Sequence, residues 1–224
     1  MKNSIKLLIV VIWFTMATES YGQIFGVKAG LNLSNMLLED DEDKYSDDFK
    51  FNPGFHIGPT AEFLIAEMIS FETALLVSTK GYKSSDELTI MGEDLEIEEN
   101  LKLFYLDIPL TAKLSLEVEG AKVYGVFGPY LGMGFSGNSK SKLTAMGETE
   151  SFDEDVEWGS DEEDDHFRRL DYGLTVGAGV EVNAIQIGLT YGLGLANISS
   201  YTGDGSKINN RVLGISIGYR LVGK

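Results

Sequence analysis

From position 25 the chain alternates. In Phe25-Gly26-Val27-Lys28-Ala29-Gly30-Leu31-Asn32-Leu33-Ser34, odd positions are apolar and even positions are glycine or polar. The pattern recurs over Phe55–Phe63 and Phe71–Lys80. Segment 101–115 sets Phe104, Leu106, Ile108, Leu110, Ala112 and Leu114 on one face and Tyr105, Asp107, Thr111 and Lys113 on the other. Segment 122–135 is rich in glycine and phases less clearly. The last three segments are the most regular. Leu170 to Val180 alternate with Asp171, Gly173, Thr175, Gly177, Gly179 and Glu181; Ile185 to Leu195 and Leu213 to Leu221 follow the same rule. Alternation over about ten residues marks a strand with one apolar and one polar face, and that length lets a tilted strand cross a bilayer.

Eight such segments are joined by links of two kinds. The stretches at about 34–52, 83–99, 136–167 and 196–208 are long, whereas those at Glu67-Met68, Glu117–Ala121 and Asn183-Ala184 are short. Regular alternation of long and short links is the form of an up-and-down barrel with one outer and one periplasmic rim. The expectation is therefore an all-β fold: an eight-stranded antiparallel up-and-down transmembrane β-barrel over 23–224, with long acidic loops at one rim.

Which face meets lipid follows from composition. The polar face is crowded with glycine and carries Lys28, Glu62, Glu72, Lys80, Asp107, Lys113, Glu181 and Arg220. The bore of eight strands has room only for side chains. Glycines relieve that crowding, and these four bases and four acids form a balanced set for a structural ion network in the lumen. Apolar side chains on every strand suit hydrocarbon, and closure is needed because lipid offers no partner for edge backbone groups. Asp107 and Lys113 lie six residues apart on one strand, too far to pair, so each must use neighbouring strands. Pro109 removes a ladder donor and marks a local irregularity.

Charge sharpens the picture. The chain has 224 residues and a formal charge of −17, yet 39–48, 86–99 and 148–165 hold 7, 7 and 11 acidic residues with Lys44 as their only base. The rest of the chain is net positive. The −17 thus describes one rim, and the chain lacks the basic footprint that nucleic acid requires. There is no cysteine, hence no disulfide, thiolate site or cysteine nucleophile. Lys2 and Lys6, an apolar run from Leu7 through Met16 and the small exit Ser20-Tyr21-Gly22 have the form of a signal peptide over 1–22. Export to a bacterial outer membrane follows as an expectation.

Several of these segments resemble one family. Tyr105-Leu106-Asp107-Ile108-Pro109-Leu110-Thr111-Ala112-Lys113 is similar to the Tyr-Leu-(acid)-Ile-Pro-Leu-x-x-Lys strand of the PorT-like outer-membrane β-barrels of Bacteroidota-type bacteria. Gly26–Ser34 resembles that family's first strand, and Gly128-Pro129-Tyr130-Leu131-Gly132 its fifth. The resemblance spans 23–224. It implies an eight-stranded outer-membrane barrel and no particular activity, the family being broad; its namesake branch assists the export of surface proteases. Many such barrels end on an aromatic residue. Here Tyr219 stands five residues before the end of the chain.

Candidate chemistry is sparse. His56 falls on the inward face and His166 follows an acidic run, but no nucleophile motif accompanies either, so no enzyme is expected. Asp153-Glu154-Asp155-Val156-Glu157-Trp158-Gly159 fails the EF-hand spacing, since its glycine is seventh and not sixth. Asp153, Asp155, Glu157, Asp161, Asp164 and Asp165 remain weak candidates for Ca²⁺ or Mg²⁺, because dense carboxylates are relieved by hard cations; no other cofactor is implied. The expected role is that of a non-enzymatic barrel with a packed lumen, structural or surface-interacting. Its expected partners are membrane lipid, lipopolysaccharide and secretion or envelope proteins. A narrow pore using the charged lumen and a secreted lipocalin-like ligand-binding barrel are the alternatives.

Overall fold

The computed structural model describes residues 23–39, 50–90, 93–145, 148–162 and 165–221. The predicted leader, the acidic segment 40–48 and Asp164 lie outside the described residues. Among the described residues ten strands follow one another: β1 (Gln23–Glu39), β2 (Asn52–Leu64), β3 (Ile69–Ala74), β4 (Leu76–Ile90), β5 (Glu93–Val118), β6 (Ala121–Ala145), β7 (Glu148–Asp155), β8 (Leu170–Val182), β9 (Ile185–Gly194) and β10 (Lys207–Leu221).

Every ladder is antiparallel, and the sheet closes on itself. β3 and β4 form one wall strand interrupted at Leu75, and both pair with β2 and β5. The ring then runs β5–β6–β8–β9–β10–β1–β2. Eight wall strands result, in neighbour-to-neighbour order, with β7 outside the ring.

Local chemistry explains the joints. The β5–β6 turn places Glu119 at φ 45° and Gly120 at φ 87°, and the β8–β9 turn places Asn183 at φ 55°. Positive φ at these positions lets tight hairpins match the twist of their strands. A band of irregularity crosses the wall where prolines cannot donate. Pro59 of β2 and Pro109 of β5 lie beside the break at Leu75, whose N–H donates to the Pro59 carbonyl at 3.0 Å, and Pro129 follows one strand further on, in β6.

Two expectations need correction. Residues 83–90, 93–99, 136–145 and 148–155 are strand and not loop. β4 and β5 stay paired up to Ile90 and Glu93, and β6 returns through β7 from Ala145 and Glu148. The acidic residues on these stretches ride on a four-stranded sheet, β4-β5-β6-β7, that continues beyond the wall. The reason is the ladder: once β5 and β6 are in register inside the barrel, each further residue adds a hydrogen bond without a new loop closure. The segment Phe71–Lys80, which alternation reads as one strand, is likewise split at Leu75.

Sidedness is unambiguous. Val176, Leu189 and Ile215 are 52%, 52% and 47% exposed on the outer surface, while Lys28 and Glu181 face the bore. The apolar outer face ends near Phe104 and Phe135; beyond a register shift at Phe104/Tyr105 it turns to Lys102, Asn138, Lys140 and Lys142. Above that line β5 runs on for roughly 30 Å at about 3.3 Å per residue.

Candidate functional site

Alternation places side chains of one parity in the bore, where they separate into three layers. Nearest the short turns, Lys113 is 1% exposed and lies 3.1 Å from Glu62, 3.5 Å from Glu72 and 3.5 Å from Glu181. Lys28 pairs with Glu72 at 2.6 Å, and Arg220 contacts Glu181 and, at 3.5 Å, Glu62. Ser70 donates to Glu62 at 2.7 Å, Gln186 donates to Glu181 at 3.0 Å, and the Lys113 ammonium sits 4.6 Å from the Tyr124 ring centre. Three cations and three carboxylates thus cross-link β1, β2, β3, β5, β8 and β10. Such a cluster resists rearrangement, because losing one member strands the others in a low-dielectric bore.

Above this layer is a cavity of about 110 Å³ lined among others by Asn32, His56, Thr111, Thr190 and Ser216. His56 donates from Nδ1 to Asn32 at 2.7 Å, and Asn32 donates to Ser78 at 3.0 Å. Its upper floor is Lys80, which lies 2.9 Å from both Asp107 and Asp171 and 4.5 and 4.6 Å from the Tyr105 and Tyr130 ring centres. Tyr130 and Asn210 also donate to Asp171, at 3.2 and 3.0 Å.

The third layer is apolar and closes the outer mouth. Met36, Leu101, Leu103, Tyr105, Val156, Ala196 and Ile198 are buried together, with Tyr82, Trp158, Phe167 and Ile208 packed against them. Trp158 meets Tyr105 edge-on with ring centres 5.6 Å apart. Residues 156–162 and 165–169 are tied over the opening by Val156 N–H to Gly137 (3.0 Å), Arg168 N–H to Ile198 (2.8 Å) and Gly134 N–H to the Arg169 carbonyl (2.7 Å).

All eight charges singled out in the sequence therefore line the bore, in two groups: Lys28, Glu62, Glu72, Lys113, Glu181 and Arg220 below, Lys80 and Asp107 above. Asp107 and Lys113 each pair across strands. Asp171 is a ninth member that sequence reasoning missed, fully buried on the same parity as Glu181. The alternation alone places it inward; the balance of four bases and four acids hid the need for it. The Trp158 plug comes from irregular backbone, where no periodic signal exists to find it.

The acidic candidates are dispersed. Asp153 pairs with Lys140 at 2.8 Å and accepts from Asn138, two donors that hold its carboxyl below the usual aspartate range. Asp165 accepts the Asp161 N–H at 2.8 Å, and the Glu157 N–H donates to His166 at 3.1 Å. Among the described residues no three acidic or histidine side chains gather into a metal-binding group.

A closed ring with a greasy exterior and an ionic interior defines a transmembrane β-barrel. The chain belongs to the outer membrane protein beta-barrel domain family, whose sequence profile matches residues 22–200. No curated protein matches significantly. Among solved structures the chain is similar to Ail, the attachment invasion locus protein of Yersinia pestis, at 16% identity over 90% of this chain and 100% of that one, with a TM-score of 0.36. It is similar to Neisserial surface protein A at 12% identity over 90% and 100%, with a TM-score of 0.41. The outer membrane protease OmpT from Escherichia coli matches at 10% identity over 92% and 100%, with a TM-score of 0.37.

Proposed function

We propose that the protein is a non-enzymatic surface-interaction barrel, exported by a leader cleaved near Gly22, whose bore is structural and whose working part is the sheet above the membrane. The observation that carries this reading is the succession along the bore: a buried ion cluster, a small cavity and an apolar plug. An ion in transit would have to break Lys113 from three carboxylates and then cross the layer formed by Met36, Leu103, Trp158 and Ile198. No such obstacle faces a partner meeting β4-β5-β6-β7 from outside. The motif over Tyr105–Lys113 supports placement near the PorT-like branch, and with it a partner in secretion or at the envelope. The outward apolar wall speaks against the lipocalin-like alternative.

Reconstitution into a planar bilayer tests the choice between a closed barrel and a pore. The expected result is no steady single-channel current at any moderate voltage. Steady conductance that falls on substitution of Lys80 or Lys113 would replace this reading with transport.

A further inference from the structure

β7 is a terminal strand. Among the described residues it pairs only with β6, from Asn138↔Asp155 to Ala145↔Glu148, so its other edge presents free backbone donors and acceptors above the membrane. All eight of its residues are exposed. Such an edge is a template for another strand; Glu148–Asp155 carries no lysine or proline, and its five carboxylates guard it against acidic strands but not against basic ones.

The side chains define what would fit. Register places Glu150, Phe152 and Glu154 on the same face as Leu143, Leu95, Ile97 and the buried Leu101. Phe152, 51% exposed on the open edge, lies opposite Ser141, with the Ile97–Leu143 pair two residues along the same face, opposite Glu150. Carboxylates flank it along the strand. The two lysines of β6 beside this edge are engaged, Lys140 with Asp153 and Lys142 with Glu98 at 3.3 Å. Among the described residues no cation pairs with Glu148, Glu150, Glu154 or Asp155. A second copy of β7 would bring like charges together, which disfavours self-pairing.

We infer that the β7 edge accepts, by strand addition, an extended segment of a partner protein whose side chains on one face run basic, apolar, basic at every second residue. The occupant sets an apolar side chain beside Phe152 and lysine or arginine beside Glu150 and Glu154. Backbone hydrogen bonds supply affinity, and the alternate side chains supply selection. This rests on the surface-interaction reading and names the chemistry of its partner.

The test uses the full chain in detergent micelles and a synthetic ten-residue threonine peptide with lysine at positions 3 and 7 and valine at position 5, which sets lysine, valine and lysine on one face of the strand. Binding is followed by isothermal titration, against the same peptide N-methylated on alternate amides and against its counterpart with glutamate at positions 3 and 7. Saturable binding of the lysine peptide is expected. N-methylation and the double substitution Glu150→Lys/Glu154→Lys should each weaken it by about tenfold or more, with Phe152→Ala also weaker. Heat-modifiable gel mobility shows that each variant keeps its barrel. Equal affinity for the N-methylated peptide, equal affinity of the charge-reversed variant, or no binding at all overturns the proposal. Concentration-dependent dimerisation through β7, or lipopolysaccharide binding that needs added Ca²⁺ and is lost in the same variant, would assign the edge to a different occupant and overturn it too. Bilayer conductance judges the underlying reading separately, so the two failures cannot be confused.

Discussion

Lys113 holds three carboxylates within 3.5 Å and is itself 1% exposed. Removing its charge leaves Glu62, Glu72 and Glu181 to Lys28 and Arg220 alone. Lys113→Met should destabilise the barrel by about 3–5 kcal/mol, measured by reversible urea unfolding from lipid vesicles; a loss below about 1 kcal/mol would mean the cluster is hydrated and weak. Gly134 makes room for the plug, since a Cβ there would lie 2.2 Å from the Trp158 ring. Gly134→Val should therefore expel Trp158 into water. Its only companion tryptophan is Trp13 in the predicted leader, so fluorescence of the mature chain should shift to the red, whereas unchanged emission would contradict the packing. These sites were unequally legible. Parity along a strand fixes which way a charge points, so Lys28 through Arg220 could be read directly. Parity says nothing of which strand comes next to which residue, so the pairings could not be read. Trp158 sits where the backbone has no period.

At the scale of elements, the acidic runs read as loops because neither face of 86–99 or 148–155 is fully apolar, and a strand solvated on both sides carries little periodic signal. Registration inherited from the barrel extends them. Replacing residues 139–154 with Asn-Gly should thus leave the wall intact, since Asn138 and Asp155 already face one another. Heat-modifiable mobility and Trp158 emission should both persist; their loss would make the extension part of the barrel's fold. Within that hairpin, Lys140 and Asn138 depress the Asp153 carboxyl. Because its folded value is lowered, the contribution of Asp153 is present above the ordinary aspartate range and is lost as pH falls through the folded value. A carboxyl titration by NMR should find Asp153 protonating below a free aspartate, and Lys140→Ala should move it upward. The break at Leu75 was not legible, because it arises between strands, beside Pro59 and Pro109.

For the whole molecule, one arrangement organises the rest: hydrocarbon outside, ions and glycine within, and both ends of the bore stopped. The number of strands, the alternation of turns and the choice of lipid-facing side were open to reading from sequence, because each follows from a period of two and from what eight strands can enclose. The plug and the projecting sheet depend on contacts between distant segments, and sequence periodicity does not record these. The absence of cysteine allows a direct test by single-site spin labels. Labels at Leu189→Cys and Ile215→Cys should collide with dissolved oxygen in lipid and escape a water-soluble nickel chelate, while a label at Ser216→Cys, one residue along, should be immobilised and shielded from lipid-borne oxygen. The reverse pattern, with position 216 bathed in lipid and 189 and 215 enclosed, would contradict the account.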